Sequence, residues 1–118
     1  MILRKIAPAA LATLLLTISI PAASPADEHS RFMAENEAAM TRMMDGMNIK
    51  PSGDVDRDFA AMMIPHHQGA IDMARIVQQY GDDPQTKAWA HQIIAAQEGE
   101  IVEMQARAIF EAALAVGG

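Results

Sequence analysis

The 118-residue sequence contains no cysteine, and this absence removes a whole class of chemistry. Without thiols there is no disulfide, no blue-copper centre, no c-type haem attachment and no cysteine nucleophile. The zincin motif His-Glu-x-x-His and the Glu-x-x-His pairs of di-iron bundles are also absent. Ten methionines and four histidines are therefore the main soft or borderline ligands that this chain offers to a metal.

Basic residues are scarce as well. Nine Lys and Arg stand against fifteen Asp and Glu, which gives a formal net charge of −6. This balance disfavours nucleic acids and anionic membranes as partners. No glycine-rich phosphate loop is present, and no motif supports a serine-based triad. The sequence therefore predicts neither an enzyme with a glycine-rich phosphate loop nor a serine hydrolase.

The N-terminal residues are typical of a secretory signal. Arg4 and Lys5 precede an apolar stretch over residues 6–20, and small residues follow up to Ala26. The apolar stretch is shorter than the roughly 20 residues that a membrane-spanning helix needs. We predict a signal peptide over 1–26 and one periplasmic or secreted domain over 27–118, with no stable membrane insertion after cleavage. The alternative is an uncleaved N-terminal anchor.

The remaining sequence predicts an all-α fold of about three long helices, because apolar residues recur at helical spacing and no strand-like alternation is found. We expect helices over roughly 30–47, 55–80 and 84–114. Asp54 is a good N-cap for the second helix, and Asp83-Pro84 begins the third. Pro65 predicts a kink in the second helix; the alternative is two shorter helices that meet there.

Two adjacent histidines, His66 and His67, lie within the predicted second helix, and each follows a methionine by four residues. On a helix, Met62 and His66 share a stripe with Asp58, Gly69 and Met73, whereas Met63 and His67 form a neighbouring pair. Since a metal needs donors from more than one helix, Met104 and Gln97 of the third helix are candidates to complete a site. So is the methionine run of the first helix, Met40, Met43, Met44 and Met47. The plainer interpretation of these methionines is core packing.

The stretch from Asp58 to Ala74, with Met-x-Pro-His-His-x-x-Ala-x-x-Met at its centre, resembles the family known as domain of unknown function 305. Asp83-Pro84 and the pattern that follows as far as Met104 are also similar, so the resemblance covers roughly 30–108. It implies a small ferritin-like helical bundle, usually exported. Some members bind Cu(I) or Ag(I) through Met and His and contribute to copper resistance. By position, the implied ligands are Met63, His66, His67, Met73 and Met104, with the run from Met40 to Met47 as a more variable second set.

These observations together predict a binding protein and not an enzyme. It would capture, buffer or hand on Cu(I), with Ag(I) as a surrogate, because thioethers and imidazoles favour soft ions. A copper-transfer protein and a second copy of the chain are the expected partners besides metal ions. The alternative is a metal-independent interaction protein of the envelope-stress type, since adaptable Met-rich helices bind varied apolar partners. A copper oxidase or reductase is a weaker third hypothesis.

Cleavage after Ala26 would create a mature chain that begins Asp27-Glu28-His29. A free amine, two deprotonated amides and the His29 imidazole form a square-planar set of four nitrogens that suits Cu(II). The alternative is a frayed terminus with an idle histidine. We expect the intact mass of the exported protein to correspond to residues 27–118, and a different N-terminal residue would contradict both the cleavage site and the Cu(II) site.

Overall fold

The computed structural model describes residues 24–117, which form three α-helices: α1 (Pro25–Met47), α2 (Val55–Tyr80) and α3 (Pro84–Gly117). No strand occurs in these residues. The predicted all-α fold with three long helices is confirmed. Residues 1–23 of the predicted signal peptide lie outside the described part. Within residues 24–117, none of the helices combines the length and the apolarity needed to cross a membrane.

α1 begins at Pro25, earlier than predicted, because Ser24 caps it. The Ser24 hydroxyl accepts a hydrogen bond from the Asp27 amide at 3.2 Å. In return the Asp27 carboxylate accepts hydrogen bonds from the Ser24 hydroxyl at 2.7 Å and from the Ser24 amide at 3.4 Å. This reciprocal arrangement is a capping box, and Pro25 fits the first helical position because its missing N–H has no helical partner there.

α2 has the predicted bounds and runs without a break through Pro65, so the alternative of two shorter helices is wrong. The Asp54 carboxylate caps it by accepting hydrogen bonds from the amides of Asp56, at 3.0 Å, and Arg57, at 3.1 Å. Pro65 deprives the Ala61 carbonyl of its helical partner, but Ala61 is exposed, so water can satisfy that oxygen. Opposite Pro65 stands Gly46 of α1, where an added Cβ would lie only 2.7 Å from the proline Cβ.

α2 lies between the other two helices and runs antiparallel to both. Contacts with α1 join Tyr80 to Glu35, at 2.6 Å between the hydroxyl and the carboxylate, and Asp72 to Arg42 at 3.4 Å. On the α3 side, Arg75 pairs with Glu98 at 3.0 Å. Within the described residues α1 and α3 make no close approach to each other. The three helices therefore form an open bundle with α2 at its centre.

The core of this bundle is thin and centred on α2. Its buried apolar residues in the described part are Ile71, Ala74 and Ile76 of α2, Ala39 of α1 and Ala90 of α3. Ile71 is the one large side chain among them that is fully buried. Small residues thus let both outer helices approach α2 closely, and larger apolar side chains remain partly exposed.

Asp58 of α2 fixes the loop that leads into the helix. Its carboxylate accepts the Ser52 amide through both oxygens, at 2.9 and 3.1 Å. Hydrogen bonds from Ser52 lower the pKa of Asp58 below its ordinary value. The Ser52 side chain contributes most to this shift, and the Ser52 amide contributes next. A lowered pKa in the folded state means that the stabilisation is present above the unfolded pKa, near 4, and is lost as the pH falls through the folded value.

We therefore expect Asp58→Asn to lower the thermal midpoint at pH 7, and we expect this difference to shrink as the pH is lowered below about 4. Thermal unfolding followed by circular dichroism between pH 2 and pH 7 measures it. Asp82→Asn is the control, because the exposed Asp82 side chain makes no hydrogen bond to the described residues. An equal loss at both ends of the pH range would show that Asp58 acts through packing and not through its charge.

Candidate metal centre

A groove of about 840 Å³ lies between the first half of α2 and the second half of α3. Three of the predicted ligands line it: Met63 and His67 from α2, one helical turn apart, and Met104 from α3. All three side chains are partly buried. The antiparallel packing of α2 and α3 therefore brings two thioethers and an imidazole into one cleft, although they are up to 41 positions apart in the sequence.

His67 is largely buried in this groove, with 19% of its side chain exposed. Its Nδ1 lies 2.8 Å from Oε2 of Glu100, a distance typical of an ion pair or a strong hydrogen bond. The ring is angled so that an N–H at Nδ1 would not point at the oxygen, and this buried nitrogen therefore has no hydrogen-bond partner among the described residues. The distance alone would suggest a satisfied pair, but the alignment shows that it is incomplete.

A buried nitrogen without a hydrogen-bond partner is costly. A small rotation of a ring that carries a proton on Nδ1 would direct this N–H at Glu100 and complete the contact. Carboxylates also commonly orient histidines that bind metals through their other nitrogen. The residues of the groove thus fit a metal ion, with Glu100 as the group that orients His67.

Sequence reasoning gave Glu100 no defined role, because nothing in local spacing links it to a histidine 33 positions earlier. Only the packing of α3 against α2 reveals this contact. Its position on α3, four residues before Met104 and thus one turn away on the same face, was the signal available in the sequence.

His66 lies on a different side of α2. It is exposed, and its ring centroid is 5.9 Å from that of His67 with 65° between the ring planes. It shares its stripe with Gly69, whose absent side chain leaves room for Met43 of α1: an added Cβ would lie 2.6 Å from the Met43 sulfur. The packing therefore places His66 on the α1 side of α2 and His67 on the α3 side.

The remaining predicted ligands lie on α1 and α2 and do not line the groove. Met62, Met73 and Met47 are half-buried. Met40 and Met44 are 50% and 60% exposed, so the interpretation of these two as core packing is wrong for the isolated chain. They do not line the groove between α2 and α3. The structure therefore does not gather all ten predicted ligands into one centre.

Acidic residues near the histidines are largely occupied elsewhere. Asp58 accepts hydrogen bonds from Ser52, and Asp72 is bound by Arg42 at 3.4 Å and by Gln68 at 3.0 Å. Within residues 24–117, no three His, Asp or Glu side chains are placed together as a metal site would require. A site built mainly from oxygen and nitrogen is thus not found there, and the donors that remain are thioethers and imidazoles.

Asp27, Glu28 and His29 lie at the start of α1, where the His29 ring stacks on Phe32 at 6.2 Å between centroids. A square-planar set made from their amide nitrogens is incompatible with this helical turn, because each amide would have to lose its proton and turn toward the metal. The proposed Cu(II) site therefore requires both cleavage after Ala26 and unwinding of the turn.

A sequence profile described as Domain of unknown function (DUF305) matches residues 8–108, and the chain therefore belongs to this family. The match extends further toward the N-terminus than the residues that carry the resemblance in the sequence. No curated protein matches the chain.

Proposed function

We propose that this DUF305 protein binds Cu(I) in the periplasm and buffers it or passes it on, and so contributes to copper homeostasis or resistance. The observation that carries the proposal is the buried Nδ1 of His67, which lacks a hydrogen-bond partner in a groove that also contains Met63 and Met104. A metal bound at the other ring nitrogen would keep the proton on Nδ1, and a small rotation of the ring would then direct this N–H at Glu100.

The donor set selects the ion. Thioethers are neutral and soft, so two sulfurs beside one imidazole favour Cu(I) and Ag(I) over Zn(II) or Mg(II). A site for the harder ions would need clustered carboxylates, and residues 24–117 do not supply them. Within the groove, Met63 and Met104 would supply the sulfurs and His67 the nitrogen, with Glu100 fixing the ring.

Binding and transfer, and not catalysis, agree best with the surface of the protein. Met33, Met40 and Met44 expose half or more of their side chains along α1. Exposed thioethers provide alternative ligands, so an ion can move between donors by stepwise exchange toward a copper-transfer protein. The predicted signal peptide would deliver the domain to the compartment where such exchange takes place.

A second candidate function is a metal-independent interaction protein. The observation that favours it is the apolar surface of α3, where Trp89, Val102, Ile109, Phe110 and Leu114 are more than half exposed. A client protein or a second copy of the chain would cover this surface. Suppression of client aggregation in the presence of a metal chelator, lost in Val102→Ser/Phe110→Ser, would support this candidate.

We expect the purified, tag-free protein to compete for Cu(I) with a chromogenic chelator under anaerobic conditions. Replacing His66 and His67 together by Ala should abolish most of this competition while circular dichroism still reports a helical fold, because neither ring belongs to the buried core. His91→Ala is the matched control, since His91 is equally a helical histidine but is exposed on α3, away from the groove. Failure of the wild-type protein to compete would exclude a copper role and favour the interaction protein.

A further inference from the structure

The close contact between α1 and α2 places a sulfur atom directly on the α2 backbone. At Gly69 an added Cβ would lie 2.6 Å from the sulfur of Met43, 2.7 Å from its Cγ and 2.8 Å from its Cβ. Real side chains do not approach so closely, so only glycine leaves this space open. Gly69 is buried, and Met43 fills the position that its side chain would occupy.

His66 and Met73 flank this position on the same face of α2. His66 precedes Gly69 by three residues and Met73 follows it by four, and residues at these spacings are neighbours on a helix, about 5–6 Å apart between Cβ atoms. Met43 therefore contacts α2 at Gly69, which lies between His66 and Met73 along the helix. Two helices contribute to this group, as a metal site with fixed geometry requires.

The group of Met43, His66 and Met73 contains the same types of donor as the groove on the other side of α2. There, Met63 and His67 of α2 meet Met104 of α3. Each group contains one imidazole and two thioethers, with one of the sulfurs supplied by a flanking helix. Since α1 and α3 make no close approach within the described residues, Met43 serves one side of α2 and Met104 the other.

The separation of 5.9 Å between the two imidazole rings does not by itself exclude one ion between them, because metal–nitrogen bonds are about 2 Å long. The positions of the sulfur donors favour two ions over one ion shared between the rings. An ion between the rings would lie at the border of both groups, whereas the sulfurs of Met43 and Met104 lie on different sides of the helix.

We propose that His66 and His67 serve two separate soft-metal sites on different sides of α2: an α1-side site of Met43, His66 and Met73, and a groove site of Met63, His67 and Met104. This inference rests on the proposed Cu(I) function and adds a second ion to it. The α1-side site is the more accessible, because His66 is exposed and His67 is not. It therefore suits exchange with a partner, and the groove site suits retention.

The test counts the Cu(I) ions that the protein withholds from the chelator under anaerobic conditions. His66→Ala and His67→Ala should each remove one ion, and the double variant should remove two. If both single variants remove the same ion, and the double variant removes no more, the histidines share one site and the inference is wrong. A wild-type protein that withholds no ion overturns the proposed function itself, so the two failures are distinguishable.

Variants of α1 test the α1-side site without changing either histidine. Met43→Leu keeps most of the side-chain volume over Gly69 but removes the sulfur, so it should cost one ion and leave the helical circular dichroism signal unchanged. Met33→Leu is the control, because Met33 is 54% exposed and lies outside both sites. Retention of both ions by Met43→Leu would overturn the assignment of Met43.

Gly69→Ala provides an independent check, since the new methyl group would collide with Met43. It should remove the same ion as Met43→Leu and leave the ion at His67. Gly99→Ala is its control, because an added Cβ at Gly99 of α3 meets nothing within 4 Å. Loss of the ion at His67 in a Gly69→Ala protein that keeps its helical signal would contradict two independent sites.

Discussion

The structure depends on the packing of α2 between two helices that make no close approach to each other within residues 24–117. Both outer helices obtain their buried contacts from α2, which therefore must present small or apolar residues on two faces: Gly69 toward α1, and Ile71 and Ala74 within the core. On a helix, consecutive residues are turned by about 100°. Two adjacent histidines on a helix packed in this way are consequently directed to different neighbours. The surroundings of each histidine therefore depend on the packing of the helices and not on how close the two residues are in sequence.

Local sequence signals predicted the helices well, and long-range contacts were beyond them. The start of α2 could be read from Asp54, because an N-cap satisfies backbone amides that are only two and three residues away. The start of α1 was misplaced because Ser24 lies within the predicted signal peptide, which ends at Ala26, directly before Asp27. The donor types of the candidate site were also predictable. Their division between two sides of α2 was not, since it depends on helix rotations fixed by contacts such as Gly46 with Pro65.

Because the core is thin, a metal bound at the candidate donors would also affect the stability of the fold. A domain of this size buries a modest share of its surface, and here five apolar residues of the described part are buried. Anything that binds the folded state alone stabilises it by mass action. A ligand that joins α2 to α1 or to α3 would therefore add a link where apolar burial is sparse, and the stability of the bundle would rise with the concentration of the metal.

The cap at Ser24 has a consequence for protein maturation. Proteolysis after Ala26 would remove Ser24 and Pro25, and with them both halves of the reciprocal hydrogen bonds that begin α1. It would also place a positively charged amine at the positive end of the helix dipole, where cations are unfavourable. The first turn would then be free to fray, and Asp27, Glu28 and His29 would gain the conformational freedom that the helix denies them. A single proteolytic event would thus convert a helix start into a flexible chelating terminus.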